Sequence, residues 1–306
     1  MKFERLRILL VTTPLIGLMA GCTHAEKRRP SGAPEDVLFQ SRDFLPEGSF
    51  VRNADGPEFD TQGNLYVASP NKKGSIGVLK AGDSEMTILF DLPDGGASAG
   101  MRFSRQGHLY ICDYVKHRIH RYDPMTGSLT TFVDQPDMNQ PNDLTITADG
   151  TLYVSDPSWH SKKPGHLWKV SPSGEVTRLL TGVRAANGIE LSPDESKLYF
   201  TESISGALLV LDLNGPADEG PRRLYKFAPD TVDGIRTDKN GVIYVARIKD
   251  GSIDRISPEG ALLSRIPLIG KDPTNMTFGG PDGRTVVVTV RDRKNVEVFR
   301  ADQPAR

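Results

Sequence analysis

Gly150-Thr151-Leu152-Tyr153-Val154, with Asn142 eleven residues ahead of its tyrosine, decides the fold, because the same unit returns five more times. The other copies are Gly63-Asn64-Leu65-Tyr66-Val67, Gly107-His108-Leu109-Tyr110-Ile111, Ser196-Lys197-Leu198-Tyr199-Phe200, Gly241-Val242-Ile243-Tyr244-Val245 and Gly283-Arg284-Thr285-Val286-Val287. They stand a little over forty residues apart, the length that one four-stranded propeller blade occupies. After each landmark come further alternating stretches, such as His117–Tyr122 or His166–Val170, and turn signals such as Asp123-Pro124-Met125-Thr126-Gly127. Helical periodicity of useful length is missing beyond the N-terminal leader. The pattern predicts an all-β chain, a six-bladed β-propeller from about Phe39 to Phe299, with residues 39–51 completing the last blade. The blades lack the His and Trp-Asp signatures of WD-type repeats.

Eleven or twelve residues before each landmark lie Asp55, Ala99, Asn142, Asn187, Asp233 and Asn275. Equivalent positions in a propeller form a ring about the axis, and all but Ala99 carry a side-chain oxygen. One Asn-Gly or Asp-Gly pair is ordinarily a β-turn; matching copies in phase point to a converging ring of oxygen donors. Such a ring, with neither His nor Cys, suits a hard divalent cation in the central channel.

The 306 residues carry a formal charge of −1 and a quarter are charged. That balance offers no basic excess to neutralise phosphates, so nucleic acid is not an expected partner. Lys2, Arg5 and Arg7 precede an apolar run, Ile8–Met19, that is short for a membrane span and ends in Leu18-Met19-Ala20-Gly21-Cys22. This reads as a lipoprotein signal over residues 1–22 with Cys22 lipidated, a polar tether over 23–38, and the propeller over 39–306. The mature domain is then expected on the periplasmic side of a bacterial membrane, anchored only by its N-terminal lipid. Thr23, rather than Asp, after the cysteine favours the outer membrane. Cys112, the only other cysteine, lies in an apolar strand and reads as a core residue. His117 and His120, three apart in a strand, face opposite ways and do not make a metal pair.

At Pro141–Asp156, at Asn187–Asp194 with Lys197–Tyr199, and at Asp233-Gly234-Ile235, the chain resembles the senescence marker protein/gluconolactonase/luciferin-regenerating family, related to diisopropyl fluorophosphatase. The resemblance covers nearly all of the mature domain. It implies a six-bladed propeller holding one divalent cation, calcium foremost, with magnesium, zinc and iron as alternatives. It assigns Asp55, Asn142, Asn187 and Asp233 as ligands and makes Asp233 also the catalytic base. Two positions depart from the family. Asp55 stands where a Glu is usual, with Glu58 three residues on as a substitute. Ser98-Ala99-Gly100 replaces the Asn and Arg that many sugar lactonases use to hold substrate.

The expected activity is therefore hydrolysis of a lactone, sugar-derived, by a cation-polarised carbonyl and a carboxylate-activated water. Trp159, in the loop with His160 after Asp156, and Asn275 are the candidate substrate contacts. The chain is expected to act as a monomer. Two other readings share the site: an ester or phosphotriester hydrolase, and a non-catalytic lipoprotein whose propeller binds a ligand or protein. No Gly-x-Ser-x-Gly elbow, P-loop or dinucleotide fingerprint is present, which sets aside serine hydrolases, NTPases and dehydrogenases.

Overall fold

In the computed structural model the described residues are 37–159, 163–216, 219–228 and 231–306. The leader with Cys22, most of the tether and His160 lie outside them. The first strand, β1 (Arg42–Leu45), is set apart from its sequence neighbours. Five sheets of four consecutive antiparallel strands follow. Blade one comprises β2 (Asp55–Phe59), β3 (Leu65–Ala68), β4 (Ser75–Leu79) and β5 (Thr87–Asp91). Blade two comprises β6 (Ser98–Phe103), β7 (Leu109–Asp113), β8 (Arg118–Asp123) and β9 (Ser128–Asp134). Blade three comprises β10 (Leu144–Ile146), β11 (Leu152–Asp156), β12 (Gly165–Val170) and β13 (Val176–Val183). Blade four comprises β14 (Ala186–Leu191), β15 (Lys197–Glu202), β16 (Ala207–Asp212) and β17 (Arg222–Lys226). Blade five comprises β18 (Ile235–Thr237), β19 (Ile243–Arg247), β20 (Ser252–Ile256) and β21 (Leu262–Pro267).

The sixth sheet contains β22 (Pro273–Gly279), β23 (Thr285–Val290) and β24 (Asn295–Arg300), and takes β1 as its outermost strand. Arg42 pairs with Val298 and Asp43 with Glu297, antiparallel. The two ends of the propeller are thereby hydrogen-bonded into one sheet, which closes the ring as the sequence predicts. Innermost strands touch around the whole circle, β2 to β6 and onward to β22 and back to β2.

The landmark residues explain why this sequence makes blades. Apolar side chains gather into six clusters, each wedged between neighbouring blades. Every landmark tyrosine sits in the wedge shared with the next blade: Tyr66 with Met101 and Leu109, Tyr110 with Leu144 and Val154, Tyr153 with Ile189 and Leu198. Tyr199 packs with Ile235 and Tyr244 with Met276 in the same way. Tyr66 meets Phe103, and Tyr244 meets Phe278, edge to face at 5.2 Å. Second strands are buried on both faces, whereas outer strands such as β5 are largely exposed. Cys112 is a free thiol buried in the wedge between blades two and three, the core role that its strand predicts.

Candidate active site in the central channel

Each ring residue lies within two residues of the start of an innermost strand, and the glycine that follows four of them has a steric task. A Cβ at Gly188 would lie 2.6 Å from both the Asp233 carbonyl oxygen and the Ile235 amide nitrogen of the next blade; one at Gly100 would lie 2.6 Å from the Asp143 Cα. Without side chains there, successive inner strands approach closely enough for backbone groups to bond across blades. Gly100 N–H donates to Asn142 O at 2.6 Å and Gly234 N–H to Thr274 O at 2.9 Å. Hydroxyls bridge further junctions: Ser69 donates to Ser98 O, Thr201 to Asp233 O and Thr274 to Ala54 O, while Thr145 of blade three donates to the Glu190 carboxylate of blade four. The Asx-Gly motif is thus a packing device that also narrows the channel and draws the ring side chains inward.

A cavity of about 340 Å³ opens on this ring, with Asp55, Asn142, Asp233 and Trp159 in its wall. Asp55 is half-buried and accepts the Gly56 N–H at 2.7 Å. Burial raises its carboxyl to about 6; that hydrogen bond opposes the rise and the Asp143 charge adds to it. Asp233 is buried and held well above the ordinary carboxylate range, by burial first and then by the charge of Asp55, with Arg291 pulling the other way. Asn187 stands behind the cavity lining, against Asp233. Its amide supports the Asp233 carboxylate and donates to Ser203 Oγ at 3.0 Å, which commits the NH₂ group and leaves the side-chain carbonyl oxygen as its acceptor. Trp159 stands in the wall, its backbone N–H held by Gln140 Oε1 at 2.8 Å.

Among the described residues, no group of three or more His, Cys, Asp or Glu is placed to hold a metal. The fit of a cation therefore rests on two carboxylates and two amides. It is a favourable one, because two like charges driven together in a buried wall are stabilised by a positive ion between them.

Other residues take places that the sequence does not announce. Asn275 lies in the wall beneath the cavity rather than in its lining. Its Nδ2 donates to Asp143 Oδ2 at 3.2 Å and its Oδ1 accepts the Met276 N–H at 2.9 Å, so it braces Asp143 instead of facing a substrate. Glu58 points toward the other end of the channel, where it accepts from Thr277 Oγ1 at 2.9 Å and lies 3.6 Å from Arg102. It cannot substitute for Asp55 as a ligand. His120 is buried against Asp113 at 3.3 Å, and His117 lines a separate cavity, so the two do not form a pair.

Glu58 belongs to a second ring, three residues along from the first: Glu58, Arg102, Thr145, Glu190, Arg236 and Phe278. Its charges alternate. Arg102 lies 3.5 Å from Glu190 and donates to Leu144 O; Arg236 lies 3.6 Å from Asp143; Arg306 reaches Glu190 at 2.8 Å. Burial opposes ionisation of Glu190, but the three guanidiniums around it bring its carboxyl down to about 2. The far end of the channel is thereby occupied by buried, mutually neutralising charges.

The family model described as the SMP-30/Gluconolactonase/LRE-like region matches residues 74–292. Among curated proteins, a gluconolactonase of Zymomonas mobilis is 24% identical over 89% of this chain and 85% of its own. A 6-deoxy-6-sulfogluconolactonase of Pseudomonas putida is 25% identical over 65% of this chain and 84% of its own. Among solved structures, regucalcin of Agrobacterium tumefaciens, a calcium-binding protein, superposes with a TM-score of 0.70 at 20% identity, covering 86% of this chain and 98% of that one.

Proposed function

The chain belongs to the SMP-30/Gluconolactonase/LRE-like family, and on that premise we propose that it hydrolyses a sugar-derived lactone with the help of a divalent cation, calcium first, in the ring cavity. The observation that carries this reading is the convergence of Asp55 and Asp233 on one cavity, both carboxyls raised by burial. Curated relatives named as sugar lactonases support the substrate class.

Asp55 and Asp233, with the side-chain carbonyls of Asn142 and Asn187, would hold the cation. When bound it polarises the lactone carbonyl and stabilises negative charge on its oxygen. Asp233 has the second task. Its carboxylate takes a proton from the water whose oxygen bonds to the carbonyl carbon, and the same proton passes to the ring oxygen as the C–O bond breaks. The product is the open hydroxy acid. Trp159 walls the cavity on one side and limits how a substrate can enter. Residues 1–22 supply the second half of the proposal: Cys22 carries lipid and holds the propeller at the extracytoplasmic face of a membrane.

The test is acid release, followed by pH drop, over a panel of aldonolactones and aryl esters with and without chelator. Chelator-sensitive turnover of at least one aldonolactone is expected. Turnover confined to aryl esters would move the assignment to the esterase class, and no turnover of any member would leave a binding protein.

A further inference from the structure

Five charged side chains line the candidate cavity: Asp55, Asp233, Arg52, Lys73 and Arg291. Arg291 has a local counterion, Asp272, 3.7 Å away, and its backbone N–H is bound to Asp272 O at 2.9 Å. Arg52 and Lys73 have none among the described residues. The contrast with the adjacent Lys72 is direct, since Lys72 is paired with Asp91 at 2.8 Å. Both unpaired cations are exposed, Arg52 in the link from β1 to β2 and Lys73 in the loop from β3 to β4.

Their backbones are nonetheless fixed. Val51 and Arg52 both donate N–H bonds to Pro70 O, at 2.9 and 3.2 Å. The loop that carries Lys73 is closed by Ser75 Oγ, which accepts the Asn71 and Lys72 N–H groups at 3.2 and 3.1 Å. Two long cationic side chains thus line a polar cavity in which, among the described residues, the lining acids are Asp55 and Asp233. A cation offsetting those acids leaves the outer cavity strongly positive. A neutral polyhydroxy lactone offers nothing to balance it.

Resting on the reading that this cavity takes a lactone, we propose that the substrate is a sugar lactone bearing an anionic substituent, a carboxylate, sulfonate or phosphate remote from the reacting carbonyl, and that Arg52 and Lys73 hold that group. The pair gives the site its preference for charged over neutral lactones and draws such substrates inward over a distance that salt shortens. Guanidinium and ammonium groups both bind these anions well, the guanidinium in a two-pronged manner.

The experiment compares gluconolactone with its 6-carboxylate, 6-sulfonate and 6-phosphate counterparts, in wild type and in the Arg52→Gln/Lys73→Gln double variant. Whichever anion is preferred, its kcat/KM should exceed that of gluconolactone at least tenfold in low salt. The double variant should reduce that ratio at least tenfold, mainly through KM, and 0.5 M salt should do much the same to wild type. Equal kcat/KM on charged and neutral lactones, or a ratio that the double variant leaves in place, overturns the proposal while hydrolysis itself stands. The corresponding lactams, which do not hydrolyse, separate the two questions by calorimetry. Tighter binding of a charged lactam that the double variant abolishes would sustain the anion site even if no lactone were turned over. Equal binding of charged and neutral lactams, or binding of neither, would remove it.

Discussion

Replacing Asp55 by Asn should stabilise the metal-free protein at neutral pH and abolish its response to cations. The Asp55 carboxyl is raised from 3.8 to about 6, chiefly by burial. A raised carboxylate contributes stability through its neutral form: the contribution is complete below the unfolded value near pH 4 and is lost as pH climbs through about 6. At about 1.36 kcal/mol for each pH unit between the two values, the metal-free fold at pH 8 is less stable by about 3 kcal/mol than if the group stayed neutral. Asparagine keeps the oxygen that accepts the Gly56 N–H and never ionises. Asp55→Asn in chelator should therefore gain up to about 3 kcal/mol at pH 8, roughly 5 °C in Tm for a domain of this size, and well under about 1 kcal/mol near pH 4. The assay is urea and thermal unfolding followed by circular dichroism from pH 4 to 8, repeated with millimolar calcium. Calcium should reverse the order, raising wild type and not the variant. A variant less stable than wild type at pH 8 in chelator, or a difference that does not change with pH, would refute the idea that this carboxylate is held in wait for a positive partner.

Asp233→Asn should lose turnover by at least a hundredfold even at saturating cation, whereas Asn142→Ala should weaken cation affinity and recover in excess metal; calorimetric titration beside initial rates separates the two. Gly188→Ala places a methyl group 2.6 Å from the Asp233 carbonyl oxygen and the Ile235 amide nitrogen, so it should cost about 2–3 kcal/mol in urea unfolding and lower cation affinity together. A neutral result there would mean that the blades are free to separate. Cys22→Ala should eliminate metabolic labelling by a fatty-acid analogue and move the protein from the membrane to the soluble fraction, and equal labelling of both proteins would sink the lipid anchor.

What the sequence makes legible follows from what repeats. Tyr66, Tyr110, Tyr153, Tyr199 and Tyr244 recur because each must fill the wedge against the next blade, and a wedge of fixed shape selects one residue type. The ring positions are legible for a related reason: Gly56, Gly100 and Gly188 are required by close backbone contact, so they mark the phase in which Asp and Asn recur. Asn275 shows the limit of that logic. It has the ring's phase and chemistry, yet Met276 follows it where a glycine follows four of the others, and its amide is consumed by Asp143 and the Met276 N–H. Phase fixes where a side chain starts, while the neighbours fix what it can still bind. Arg52, Lys73 and Arg291 escape the pattern altogether because they sit on loops, where the repeat imposes neither length nor residue type.

The second ring is also in phase, yet it is not legible in the sequence, for a physical reason. Glu58, Arg102, Glu190 and Arg236 differ in sign, so they do not look like a repeated feature, yet alternation of sign is what lets four buried charges share one channel. Each is costly alone and tolerable only with its neighbours present. Arg306 completes the set from outside the repeat, at 2.8 Å from Glu190 and 2.9 Å from the Thr145 hydroxyl. The consequence reaches the candidate site. With Asp143 counted beside Arg236, the charges at the far end balance in number, and the field in the ring cavity is set mainly by Asp55 and Asp233 within, by Asp143 behind them and by Arg52, Lys73 and Arg291 around them. On the proposed reading, a cation and a negatively charged substrate would then bind in one cavity without competing, the carboxylates holding the first and Arg52 and Lys73 the second.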